Sequence, residues 1–173
     1  MNLKSEFKYV LDVYTKWKKL EKSISSINDF RKKKMRNEKI ERKPNFPECV
    51  SEFIGRQVMN GIYDGKGDMI VKGKRVEIKS ISSIGPTSFG PTETWDEIIF
   101  IDFRKEPMFT IYKIDLPNHS SKWKNIKINK HNTFEDQCKM KRRPRISFDE
   151  ISKQIKPKII YENNILVFLK NEN

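Results

Sequence analysis

The chain has 173 residues, 36% hydrophobic and 34% charged, which suits one domain with a modest core that oligomerisation would help stabilise. Its 36 Lys and Arg against 23 Asp and Glu leave a formal charge of +13, an electrostatic footprint for polyanions such as nucleic acid. No apolar run approaches the roughly 20 residues that span a bilayer, residues 1–20 lack the apolar core of a signal peptide, and two cysteines make no disulfide framework, so the expectation is a soluble cytoplasmic protein with no membrane partner.

In residues 2–24, Leu3, Phe7, Val10, Leu11, Tyr14, Trp17 and Leu20 recur at helical spacing and predict a packing helix, with a dimer seam as the alternative use of the stripe. The charge run at 31–43, RKKKMRNEKIERK, reads as a basic linker or solvated helix end, or as a phosphate contact. Pro47 opens a second helix through Asn60, with Val50, Phe53, Ile54 and Val58 on one side and Gly61 as its stop. Glu52 and Arg56 on that helix are spaced for an i,i+4 pair.

Residues 68–72 and 75–81 read as two short strands around a tight turn, and side chains on a strand alternate faces. Glu77 and Lys79 therefore share a face. A Gly73-Lys74 turn sets Asp68 opposite Lys79, whereas a Lys72-Gly73 turn sets it opposite Glu77; in either register all three stand together. Opposed side chains in such a pair have Cβ atoms about 4.5 to 5.5 Å apart, close enough for two carboxylates to share one divalent ion. Met69, Val71, Val76 and Ile78 make the other face apolar, so the hairpin is expected to have a buried side and a charged side. Glu-x-Lys alone, in a lysine-rich chain, is an ordinary surface pair. The matching Asp68, the close backbone approach that Gly65 and Gly67 permit, and the basic balance of the whole chain lift it above that reading.

Residues 80–94, rich in Ser, Gly, Pro and Thr, form a long loop leaving this edge, from which Ser88, Phe89, Thr92 and Glu93 are placed to approach DNA. Residues 98–103 and 108–116 read as two further strands, the first apolar enough to be central, with Asp102 as a structural polar residue. The stretch 139–145, KMKRRPR, is the densest cationic cluster in the second half; Lys141, Arg142, Arg143 and Arg145 are assigned to DNA contact, because a guanidinium fork clamps phosphates or reads guanine edges. Ser147 and Glu150 form a capping box that opens a helix. Residues 159–170 suggest a last hairpin around Glu162-Asn163-Asn164. Cys49, Cys138, His119 and His131 have no zinc-ligand spacing, and neither a nucleophile elbow nor a Walker A loop is present.

Gly67-Asp68, eight residues, then Glu77-Ile78-Lys79 resembles the PD-(D/E)XK nuclease superfamily, the fold of many type II restriction endonucleases and several repair nucleases. Gly67 stands where the motif has proline, a position that varies, and the likeness covers residues 48–116. It implies an α/β (α+β) restriction-endonuclease-like core, a mixed central sheet flanked by helices. It also implies that Asp68, Glu77 and the Ile78 carbonyl hold Mg²⁺, with Mn²⁺ as a substitute, while Lys79 orients or helps deprotonate the attacking water. Glu52 becomes a candidate third catalytic carboxylate, since many superfamily members carry an acid on the helix before the sheet. The organisation expected is a single nuclease domain over 1–173: a packing or dimerisation helix (1–30), a basic linker (31–45), the catalytic core (46–116) and DNA-contacting elements (117–173). The function expected is Mg²⁺-dependent, site-specific cleavage of double-stranded DNA by a homodimer, with a cognate DNA methyltransferase as partner. A structure-specific repair or junction nuclease and a non-catalytic DNA- or RNA-binding module are the alternatives.

Overall fold

A 32-residue helix, α1 (Leu3–Lys34), opens the computed structural model, which describes residues 2–34, 41–63 and 69–171. Asn2 starts α1 by accepting the Ser5 amide at 2.9 Å on its side-chain oxygen. The helix runs ten residues past the expected Ile24, because no glycine or proline interrupts it before Lys34 and its last turn, Arg31 to Lys34, is made of good helix formers. Its buried face is Phe7, Val10 and Tyr14, while Leu3 and Leu20, at the ends of the expected stripe, stand exposed. Residues 31–34 of the charge run thus belong to the helix; 35–40 lie outside the described residues.

The described chain divides into two compact units, one within residues 1–50 and 166–173 and the other within 51–165. In the first, Trp17 meets Phe46 edge-on with ring centres 5.0 Å apart, Phe7 lies against Phe168, and the Asn28 side chain exchanges two hydrogen bonds with the Glu41 backbone at 2.8 and 2.9 Å.

Helix α2 (Glu48–Met59) follows Pro47 as expected. It closes on Asn60 at φ 50°, with the Gly61 amide returning to the Arg56 carbonyl at 2.9 Å. The second unit is built on a six-stranded sheet of β1 (Ile62–Tyr63), β2 (Met69–Val71), β3 (Lys74–Ile81), β5 (Glu97–Asp102), β6 (Met108–Ile114) and β8 (Lys158–Asn164), in spatial order β1-β2-β3-β5-β6-β8. Only the β3–β5 pairing is parallel, so the sheet is mixed and the architecture α+β. The apolar run Ile98 to Ile101 makes β5 the buried central strand.

The two sheet faces are covered differently. On one, α2 lies so close at Gly55 that an added Cβ would fall 2.9 Å from Ile78 Cδ1 and 3.1 Å from Ile99 Cδ1. On the other, Ile98, Phe100, Ile81 and Ile114 pack with Phe89, Trp95, Trp123, Phe134 and Phe148. Those aromatic residues come from the loop after β3 and from three short helices, α3 (Ser121–Lys124), α4 (Phe134–Lys139) and α5 (Phe148–Gln154). The hairpin face that carries Glu77 and Lys79 is therefore covered, not solvated.

Two differences from expectation have local causes. A two-stranded sheet forms between β4 (Thr87–Ser88), inside the expected loop, and β7 (Arg145–Ile146); neither segment is long enough to announce itself by periodicity. Residues 159–170 do not form a hairpin: β8 leads directly into α6 (Ile165–Lys170), whose Ile165 and Leu169, four apart, are both buried. Among the described residues no helix is long and apolar enough to cross a membrane.

Candidate active site

The β2–β3 turn chooses between the two registers left open by sequence. Lys72 and Gly73 have φ of 50° and 80°, as a two-residue hairpin turn of the twist-matched kind requires. Met69 consequently pairs with Val76 and Val71 with Lys74. Asp68 lies outside the described residues, as do Gly65 and Gly67.

On β3, Glu77 and Lys79 pair in register with Ile98 and Phe100 of β5, which puts them on the aromatic-covered face. Glu77 is only 4% exposed. A buried carboxylate is costly unless its charge is met, and Lys79 forms a salt bridge with it. The same ammonium donates to Glu93 Oε2 at 3.4 Å and lies 5.5 Å above the Phe89 ring. Burial alone would lower the lysine's pKa; the Glu77 carboxylate, then Glu93, outweigh it and hold the ammonium above the ordinary lysine range. Lys79 is thus a fixed cation between two carboxylates.

Glu93 owes its position to the loop. Its amide bonds back to the Gly90 carbonyl at 3.3 Å, and its carbonyl accepts the Asn118 side-chain amide at 2.6 Å. A Cβ on Gly90 would fall 2.6 Å from Glu93 Oε1 and 2.9 Å from its Cγ, so only glycine leaves room for this acid. The loop is fastened in turn to the basic cluster. Ser88 pairs with Arg145 across β4–β7, the Phe89 amide donates to the Pro144 carbonyl at 3.0 Å, and Arg143 Nε donates to Ser88 Oγ at 3.1 Å. The Arg143 guanidinium also stands 3.9 Å from Glu93 Oε1.

The structure therefore brings together five residues singled out in the sequence, Glu77, Lys79, Ser88, Arg143 and Arg145, and adds Glu93, which sequence reasoning placed near DNA but not beside Lys79. Ile78 points to the opposite face, against Gly55; its carbonyl is the group the metal reading needs. Thr92 is exposed on the same turn as Glu93, while Lys141 and Arg142 are exposed at the end of α4, where Lys141 takes φ 56° and the Arg142 amide closes on the Gln137 carbonyl. Glu52 lies on α2, whose Gly55 packs against Ile78 and Ile99 on the other face of the sheet from Glu77. Asp102 is engaged by Arg104, which also grips Asp149 on α5.

Glu77 and Glu93 are hard oxygen donors of the class Mg²⁺ takes, but both are engaged by Lys79, and no group of three His, Cys, Asp or Glu able to hold a metal occurs among the described residues. Burial pushes the Cys138 thiol up.

A family model described as Bsp6I restriction endonuclease matches residues 3–156. No curated protein and no solved structure matches the chain.

Proposed function

The chain belongs to the Bsp6I restriction endonuclease family, a restriction-enzyme-like nuclease with DNA as its substrate, and from that premise we propose that it is a Mg²⁺-dependent endonuclease cutting double-stranded DNA at a defined sequence. The observation that carries the proposal is the buried Glu77 on a central strand, charge-matched by Lys79 and flanked by Glu93. Glu77 is 4% exposed and its Lys79 partner has a side chain 16% exposed, and the pair is joined through Glu93 to Arg143, which with Ser88 and Arg145 offers the donors that bind phosphate.

Asp68 and Glu77, with the Ile78 carbonyl, are the ligands this reading assigns to Mg²⁺. When bound, Mg²⁺ would polarise a phosphate oxygen and lower the pKa of a water. Lys79 contributes a positive charge between Glu77 and Glu93, which favours the additional negative charge of phosphoryl transfer. Arg143 and Arg145 hold the phosphate backbone and set its register on the protein. Cutting both strands with one site per chain makes the active form a homodimer with a two-fold symmetric target, and a site-specific nuclease in a cell implies a methyltransferase that protects the host's own copies of that target.

Plasmid and viral genomic DNA incubated with the purified protein in Mg²⁺, beside EDTA and Lys79→Ala controls and followed by sequencing of the ends, test the proposal. Discrete fragments sharing one end sequence are expected, with cutting lost in EDTA and reduced at least about 10²-fold in Lys79→Ala. Preference for branched or mismatched DNA would make the enzyme structure-specific. Tight, salt-sensitive binding without cutting on any substrate would leave a non-catalytic binding protein.

A further inference from the structure

Glu77, Lys79, Glu93 and Arg143 form an unbroken line of alternating charge, from a buried strand to the exposed basic cluster. Lys79 bridges Glu77 and Glu93, Glu93 stands between Lys79 at 3.4 Å and Arg143 at 3.9 Å, and Arg143, its side chain 63% exposed, is the end that meets solvent. The line is not an accident of flexible side chains. Gly90 gives Glu93 its room, Asn118 clamps its carbonyl, and Ser88 holds Arg143. The β4–β7 pairing binds into one piece the two segments that carry Glu93 and Arg143.

We propose that Glu93 is a positioning residue that couples Arg143 to Lys79, so that a DNA phosphate engaged by Arg143 is felt at Glu77. Along an alternating line, an anion arriving at the cationic end competes for that cation. A phosphate drawing Arg143 toward itself leaves Glu93 with Lys79 as its remaining counter-ion. Lys79 then shifts toward Glu93 and loosens its hold on Glu77, the carboxylate that the nuclease reading uses. Before DNA arrives, Lys79 keeps Glu77 occupied; afterwards Glu77 is released. The free enzyme is thereby held back until its substrate is in place. The meaning of the phosphate rests on the nuclease reading, but the coupling is a property of the protein alone and can be measured without DNA.

The measurement uses protein labelled with ¹³C at the lysine Cε, the Lys79 signal being the one lost in Lys79→Arg. Spectra at one neutral pH are compared for the wild type, Arg143→Gln, Glu93→Gln and the double variant. Arg143→Gln is expected to move the Lys79 signal when Glu93 is present and to leave it in place when residue 93 is Gln. Equal movement in both backgrounds, or none in either, overturns the coupling. In single-turnover cleavage at saturating plasmid, where binding no longer limits the rate, Glu93→Gln leaves Lys79 on Glu77 and is expected to slow the reaction about tenfold, whereas Arg143→Gln, which already frees Glu93 for Lys79, is expected to cut at close to the wild-type rate and the double variant to be as slow as Glu93→Gln. A wild-type rate in Glu93→Gln, or a double variant about tenfold slower again than Glu93→Gln, would make the two residues independent and overturn the proposal. A wild type that cuts nothing while the Lys79 signal behaves as described removes the nuclease reading and leaves the coupling standing.

Discussion

A methyl group added at Gly90 would meet the whole end of Glu93, from Cγ to Oε1, at 2.6–2.9 Å. Something must move, and the carboxylate is the part free to do so, so Gly90→Ala is expected to carry it away from Lys79. Cleavage should fall about tenfold or more while the melting temperature changes by the equivalent of about 1 kcal/mol or less; an unaltered rate would mean that Glu93 has no part in positioning Lys79. Glu97 is a different kind of buried acid. It is 6% exposed on the α2 face and receives Lys74 and Lys113, each at 2.6 Å. Burial alone would raise its pKa, but the hydrogen bonds from Lys113 and Lys74 overcome this and hold it below the ordinary carboxylate range. Its contribution to stability is thus complete above the unfolded value of about 4.3 and is lost as pH falls through the lower folded value. Glu97→Gln should cost about 1–3 kcal/mol at pH 7, and the gap to wild type in chemical denaturation should close as the pH drops below about 4. A gap that stays constant would assign the loss to shape instead of charge. The difference in legibility between site residues follows from the same geometry. Glu77 and Lys79 could be read from strand alternation alone, whereas the Glu93 contact depends on a loop tied to Arg143, 55 positions along the chain from its partner Ser88, a closure that no local pattern announces.

At the scale of elements, the contact that fixes α2 on the sheet is the approach of Gly55 to Ile78 and Ile99. Glycine inside a helix costs roughly 1 kcal/mol relative to alanine, and this one is repaid by the closeness of helix to strands. Gly55→Val adds three carbons where the first already stands 2.9 Å from Ile78 Cδ1. Overpacking of this kind typically costs about 1–3 kcal/mol; because Ile78 lies between Glu77 and Lys79 on β3, cleavage should fall with stability, as urea denaturation and a digestion assay on the same variant would record. Loss of neither would place α2 further from the strand than the contact indicates. Elements with strong periods were legible in advance: α2 with its proline start, the β2–β3 hairpin, and β5 and β6 within one or two residues. Those that depended on tertiary partners were not. Helices α3 and α4 are four and six residues long, each anchored by one buried aromatic side chain, Trp123 or Phe134. The sequence 159–170 carries no signal that separates a strand turning back from a strand entering a helix.

Across the whole molecule the dominant quantity is the formal charge of +13, which by itself attracts DNA without choosing a face. The arrangement around Glu93 singles one out for test: Arg142, Arg143 and Arg145 stand exposed on the segment paired with β4, with Arg143 3.9 Å from Glu93. If that segment is the interface, its charges make phosphate contacts that release counterions, and each contact contributes about 0.9 to the slope of log affinity against log salt concentration. Changing all three arginines to Gln should lower that slope by up to about 2.7 and weaken binding most at low salt. Three exposed lysines elsewhere in the chain, Lys105, Lys122 and Lys130, provide the comparison, since Lys→Gln at all three removes the same net charge. Long-range attraction alone would respond equally to either set, because it depends on total charge and falls off within a Debye length of about 8–10 Å at physiological salt. Contact would respond only to the arginines. Anisotropy titrations of a labelled duplex in Ca²⁺ over a series of salt concentrations separate the two, and equal slopes for both triple variants would remove the 139–145 cluster from the DNA interface.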